Sequence, residues 1–184
     1  MNNTKDASLS SELKVTGTIT EKGVSITTQS NIDALSQRGY GTMENGNFIL
    51  TFYEALYLID KEILKVKDKK ENTIDFQSLL RLYEKLDENA WVKYLVYRDL
   101  RSRGYVAREG FGTGIDFRIY ERGVYGKDTA MYLVMSLQEG KPVQIGKLTN
   151  IMLQCQSQKK ELVLAVMNRR GEVVYYSVAP LAFK

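Results

Sequence analysis

Between Tyr94 and Tyr120 the chain reads YLVYRDLRSRGYVAREGFGTGIDFRIY, and its four glycines punctuate everything around them. Before the first, Leu95, Asp99 and Arg103 fall on successive helical turns, and Asp99 and Arg103 can pair at i,i+4 spacing. Gly104 stands where a left-handed helix terminus is wanted. Tyr105 to Arg108 then leaves as a strand. Gly110, Gly112 and Gly114 allow a sharp reversal in which side chains would obstruct a positive φ. In the returning strand, Asp116 to Tyr120, Phe117 and Ile119 share one face and Arg118 and Tyr120 the other. The stretch predicts helix, stop, strand, turn and strand.

The rest of the chain alternates in the same way. Glu12 to Thr20 and Gly23 to Thr28, joined by Glu21-Lys22-Gly23, carry a hairpin signal. Asn31 is placed to cap a short helix, Ile32 to Arg38, stopped by Gly39. Gly41 to Gly46 reads as a turn and Asn47 to Leu50 as a brief strand. Thr51 caps a helix from Phe52 to Glu62 with an apolar face of Ala55, Leu56, Leu58 and Ile59. A short strand, Ile63 to Val66, and a charged turn lead to a helix opened by Asp75, with Leu79, Leu80, Leu82 and Tyr83 inward. After Leu86 to Asn89 comes the helix Ala90 to Arg103. Beyond Tyr120 follow a loop to Ala130, an apolar strand Met131 to Leu137 and a turn. Next come a helix Lys147 to Ser157 and strands Glu161 to Met167 and Val173 to Val178. Strands mixed with helices predict an α/β (α+β) fold. The expected divisions are a disordered polar tail over 1–10, an N-terminal α/β domain over 11–88 and a second domain over 89–184.

Composition narrows the function. With no histidine and one cysteine among 184 residues, a transition-metal site would have to be all carboxylate, and no such cluster occurs in the sequence. No metal and no cofactor are expected. The single Cys155 excludes an internal disulfide framework. No apolar run approaches the length that crosses a bilayer, and MNNTKDASLSSELK looks like neither a signal nor a transit peptide, so no membrane partner and a cytoplasmic location are the simplest expectation. Charge is uneven: residues 1–90 carry 11 Lys and Arg against 14 Asp and Glu, whereas residues 91–184 carry 15 against 8. A basic half of this kind suits a polyanion, although a solvated surface has the same composition.

YLVYRDLRSRGY followed by Gly-Phe-x-x-Gly-x-Asp-Phe-Arg-Ile-Tyr closely resembles archaeal tRNA-splicing endonucleases. GYG…GxFILTFYEALYLIDKEILKV is similar to the N-terminal domain of the same family. The resemblance covers nearly the whole chain from Leu35 onward. It implies a small mixed N-terminal domain and a nuclease-like C-terminal domain with a central mixed β-sheet flanked by helices. It also implies metal-independent cleavage of precursor tRNA at bulge–helix–bulge junctions: a ribose 2′-hydroxyl attacks the adjacent phosphate, leaving a 2′,3′-cyclic phosphate and a 5′-hydroxyl. A tyrosine serves as base, a histidine as acid, and a lysine stabilises the charged transition state.

The family tyrosine ends the Phe-Arg-x-Tyr strand, and here it is Tyr120. The family lysine precedes the next apolar strand, and Lys160 matches it. The family histidine opens a His-Ser-x-Tyr-Leu-Val segment, whereas this chain has Thr129-Ala130-Met131-Tyr132-Leu133-Val134. A family arginine seven residues before the lysine, part of an RNA-base clamp, is replaced by Leu153. A threonine hydroxyl is far too weak an acid to stand in for imidazolium near neutrality. General acid catalysis is worth roughly 10²–10⁴ in rate. On residue type alone, Tyr120 is an ordinary strand-end tyrosine among 12, and Lys160 an ordinary solvated lysine. Arg101 and Arg118 are candidate RNA contacts.

The resemblance therefore implies a structural, non-catalytic subunit, paired with a histidine-bearing catalytic subunit in a heterodimer that assembles to a heterotetramer. The terminal segment Val173 to Phe183 is apolar almost throughout, and an uncovered strand of that kind aggregates unless it is paired. Val174, Tyr175, Tyr176, Val178, Leu181 and Phe183 are expected at a subunit interface, unless both faces are buried within the chain. In the family an acidic loop before this strand docks on a neighbour; here Asn168-Arg169-Arg170-Gly171-Glu172 offers Glu172 alone. Two alternatives stand beside this reading. One is an active endonuclease using Tyr120 and Lys160 without the histidine, and the other is an RNA-binding module outside splicing.

Overall fold

The computed structural model describes residues 13–180 apart from 113, 122 and 124. The chain divides into two compact units, one ending at Tyr94 and the other starting at Leu95.

The first unit is built on a mixed sheet of strands β1 (Val15–Ile19), β2 (Val24–Ile26), β3 (Thr42–Glu44), β4 (Asn47–Leu50), β5 (Leu64–Lys67) and β6 (Thr73–Ile74), in the order β3-β4-β2-β1-β5-β6. The pair β1 and β5 is parallel and the rest are antiparallel. Helices α1 (Gln29–Ser36), α2 (Phe52–Asp60) and α3 (Phe76–Glu84) accompany it. Leu35, Leu50, Leu56, Val66 and Leu79 are wholly buried. At the start of α2 the buried carboxylate of Glu54 accepts the Thr51 N–H at 2.9 Å and the Gly41 N–H at 3.2 Å. It thereby satisfies one donor at the helix entry and one in the Gly41 turn that burial would otherwise strand. Gly41 has φ +67, and a Cβ there would lie 2.3 Å from the Phe48 ring, so no other residue fits. Asp75 caps α3 by accepting the Ser78 N–H at 2.8 Å.

Three local expectations change. α1 starts at Gln29, not Ile32, because the Thr28 carbonyl already accepts the N–H groups of Asn31 and Ile32; Asn31 lies inside the helix. The expected turn over Gly41 to Gly46 contains β3. The reversal is confined to Asn45-Gly46, with φ +48 and +80, the pair of positive angles that a two-residue hairpin turn requires. Leu82 is 37% exposed rather than inward.

The second unit carries a sheet of β7 (Val106–Glu109), β8 (Phe117–Tyr120), β9 (Tyr132–Gln138), β10 (Glu161–Met167) and β11 (Val173–Val178), in the order β11-β10-β9-β8-β7. The central pair β9 and β10 is parallel, and the other pairs are antiparallel. α4 (Ala90–Ser102) precedes β7, and α5 (Ile145–Ser157) joins β9 to β10. The two-domain architecture is thus mixed α/β, with helices beside mixed sheets, as the sequence predicts. Along β8, Phe117 and Ile119 are buried and Phe117 meets Tyr97 of α4 at 6.0 Å between ring centres. Leu133, Met135 and Leu162 pack with Ile151 and Cys155 of α5. Burial pushes the Cys155 thiol up, which leaves it unreactive.

β11 forms one edge of this sheet. Val174 and Tyr176 are 44% and 54% exposed, so its faces are not both buried within the chain. Val178 packs against the α5 cluster, while Leu181 and Phe183 lie outside the described residues. Tyr175 turns the opposite way from Tyr176. Its hydroxyl donates to Asp99 Oδ2 at 2.7 Å, and the guanidinium of Arg103, itself bonded to the same oxygen at 2.6 Å, lies 5.4 Å over its ring. Burial, then the Asp99 hydrogen bond, raises the Tyr175 hydroxyl far above the ordinary tyrosine range.

A group whose folded pKa is raised stabilises fully below its unfolded value and loses that contribution as pH rises. Tyr175→Phe is expected to cost about 1–2 kcal/mol in urea unfolding at neutral pH, the worth of a part-buried hydrogen bond to a charged group. In pH-dependent melts, the alkaline loss of stability that starts near the free tyrosine value of about 10 is expected to shrink in the variant.

Candidate active site

β8 runs antiparallel to β9, and β10 runs parallel to it. The C-terminal end of β8 and the N-terminal ends of β9 and β10 therefore meet at one end of the sheet. Two backbone bonds fasten that end: Met131 N–H to the Ile119 carbonyl at 3.0 Å, and Glu161 N–H to the Met131 carbonyl at 3.3 Å. Tyr120, Thr129 and Lys160, far apart in sequence, are carried there by these three strand ends.

Lys160 Nζ donates to Thr129 Oγ1 at 2.8 Å. The Thr129 N–H in turn donates to Asp128 Oδ1 at 2.6 Å, which fixes the backbone that presents the hydroxyl. A cavity of about 260 Å³ opens here, lined by Glu121, Asp128, Thr129, Met131, Lys159 and Lys160. Tyr120, half-buried, closes β8 immediately before Glu121. Its ring meets that of Tyr125 edge to face at 5.2 Å and 84°. Tyr125 is bridged to Asp128 by backbone pairing, so the aromatic pair flanks residues of the cavity wall.

Tyr132 opens β9 at the same sheet end. Burial first, and then the Glu161 and Glu121 carboxylates, hold its hydroxyl above the usual tyrosine value.

α5 ends abruptly at this cavity. The Lys159 N–H bonds the Gln156 carbonyl at 2.8 Å and the Lys160 N–H bonds that of Cys155 at 2.9 Å, with Lys159 left-handed at φ +54. The closing turn aims the chain from the helix into β10. Leu153, expected at the family arginine position, is 54% exposed on α5.

Elsewhere the candidate residues are separated. Arg118 Nε donates to the Glu109 carbonyl at 2.9 Å, and its guanidinium covers Phe111 at 5.8 Å, so it braces the β7–β8 hairpin. Arg101 lies in the last turn of α4. Glu172 Oε2 accepts Asn168 Nδ2 at 2.8 Å within its own loop, and Asn168 Oδ1 accepts the N–H groups of Arg170 and Glu172. Sequence reasoning passed over Lys159, Asp128 and Tyr125. For Lys159 the signal was available, since a non-glycine residue at a helix stop invites the question of what it does there; Tyr125 carried none.

The arrangement places a tyrosine, a lysine and a hydroxyl at one sheet end, with an acidic rim and no imidazole in the chain. Comparison with known proteins assigns the family. The model of the tRNA intron endonuclease catalytic C-terminal domain matches residues 90–175, and that of the N-terminal domain matches residues 15–80. The chain belongs to the tRNA intron endonuclease family. The tRNA-splicing endonuclease of Methanococcus vannielii is 34% identical over 89% of this chain and 92% of its own length. That of Pyrococcus furiosus is 36% identical over 77% and 81%. That of Methanococcus maripaludis is 32% identical over 89% and 92%. Among the described residues, no helix of this family member is long and apolar enough to cross a membrane.

Both partners of the Lys160–Thr129 bond are polar, the bond is exposed, and neither side chain fills the core. Lys160→Ala and Thr129→Ala are each expected to unfold within about 0.5 kcal/mol of the unaltered chain, as surface substitutions do. Chemical denaturation checks this. A loss of several kcal/mol would make the pair a structural tie.

Proposed function

We propose that this chain is the non-catalytic subunit of a tRNA-splicing endonuclease that removes introns from precursor tRNA, and that a histidine-bearing homologue supplies the chemistry. One observation carries the reading: the residue at the family histidine position is Thr129, and its hydroxyl is the acceptor of the Lys160 ammonium. In-line cleavage needs a proton delivered to the departing 5′-oxygen. Thr129 cannot deliver one near neutrality, and with no histidine in the chain no other residue offers imidazolium. Lys160, turned to Thr129, also lacks the free orientation with which an ammonium would meet a phosphorane oxygen.

Assembly follows from the same reading. β11 offers an edge with Val174 and Tyr176 exposed, and pairing with the corresponding strand of a catalytic subunit covers it. The heterodimer then doubles to a heterotetramer. The loop contact differs from the acidic pattern: Glu172 is engaged by Asn168, and Arg169 and Arg170 stand beside it.

The test is cleavage of a precursor tRNA with a bulge–helix–bulge junction, by the pure chain and by the chain co-expressed with a histidine-bearing homologue. The expected result is 2′,3′-cyclic phosphate and 5′-hydroxyl ends from the mixture alone, with no detectable cutting by this chain. Comparable cutting by the pure chain, abolished by Lys160→Ala, would establish instead an endonuclease that works without the histidine. Salt-sensitive RNA binding with no partner and no cleavage in either preparation would place the chain outside splicing.

A further inference from the structure

Lys159 occupies an unfavourable backbone conformation at the wall of the cavity. Its φ of +54 places it in the left-handed region at the stop of α5, where glycine is the usual occupant and a side chain costs free energy. Glu62 and Glu71 share this conformation away from the cavity, so the angle alone signifies little. Glu71, for one, is ion-paired with Lys67 at 2.6 Å. Among the described residues Lys159 makes no ion pair, although Glu121 and Asp128 line the same cavity, and its side chain is exposed. An unpaired cation held in a disfavoured backbone state beside a polar cavity is what a charge kept for a ligand looks like.

We infer that Lys159 grips a phosphodiester of the RNA strand and that the cavity is kept as a binding notch although its chemistry is lost. The inference deepens the subunit reading and rests on it: the non-catalytic chain touches the substrate itself. The ammonium of Lys159 supplies the charge. Lys160 is diverted to Thr129, and Glu121 and Asp128 line the same cavity, so Lys159 is the cation left to meet a phosphate against those two carboxylates. Contacts of this kind position an RNA without reading its sequence.

Binding and stability are expected to move in opposite directions, which a merely structural lysine would not produce. The probe is a fluorescein-labelled bulge–helix–bulge RNA, titrated by anisotropy across a salt series. The full chain is used alone and assembled with its histidine-bearing homologue. Lys159→Gly relieves the left-handed strain and is expected to melt higher than the unaltered chain, yet to bind RNA roughly two- to fivefold more weakly, the range of one exposed ion pair. Its salt slope is expected to flatten by about 0.7–0.9, one phosphate contact. Lys159→Asn, which tolerates the same conformation, is expected to lose affinity similarly, and Lys159→Arg to keep it.

Unchanged affinity and slope in both Lys159→Gly and Lys159→Asn would overturn the inference. So would a melting point of Lys159→Gly at or below that of the unaltered chain, because the strain would then be absent. If the mixture cleaves precursor RNA and these variants bind normally, the inference alone fails. If the unaltered chain adds neither binding nor cleavage to its homologue, the subunit reading fails with it.

Discussion

Two adjacent parallel strands cannot be joined by a tight turn, and this single constraint organises the second unit. The link from β9 to β10 must travel back the length of the sheet, and α5 is the crossover that does so. Because the crossover returns the chain to the end where β9 began, residues just before the two strands become neighbours. Thr129 and Lys160 sit in those positions. Their hydrogen bond is thus a consequence of connectivity, and the left-handed stop at Lys159 is the hinge that completes the return. Packing holds the crossover down: Ile151 and Cys155 are buried against Leu133, Met135 and Leu162, so a shift of α5 would open the core.

In the proposed subunit the same scaffold serves while the chemistry changes. A backbone arrangement set by strand pairing is indifferent to whether residue 129 is histidine or threonine. Its side chain is exposed, and the fold gains little from either. Divergence at such a position is therefore cheap in stability and decisive in reactivity. Proton delivery depends on an ionisation near neutrality that no rearrangement of a threonine can imitate.

Much of this was legible in the sequence, for identifiable reasons. β10 and β11 are found where their apolar runs begin and end. The pairing of Asp99 with Arg103 follows from helical spacing alone. Local reading failed where pairing was decided elsewhere. Residues 42–44 are a strand only because 47–49 lie opposite, across the Asn45-Gly46 hairpin turn. Leu82 breaks the expected inward face of α3. In the site, the family pattern singled out 120, 129 and 160, and the strand ends bring these three residues to one end of the sheet. The bond between the last two, spanning 31 residues, and the aromatic pair of Tyr120 and Tyr125 needed three dimensions.

The latch of Tyr175 onto Asp99 and Arg103 ties β11 to the helix beside the sheet, and β11 remains the strand at the sheet's edge. A rigid edge is a better template than a frayed one, for the right partner and for the wrong one alike. Encounters between two such edges grow with the square of concentration, whereas capture by a different subunit depends on how much of that subunit is present. On the subunit reading proposed above, the stoichiometry of synthesis then governs the fate of the chain: made in excess, it is its own nearest competitor for the edge that such an assembly would use.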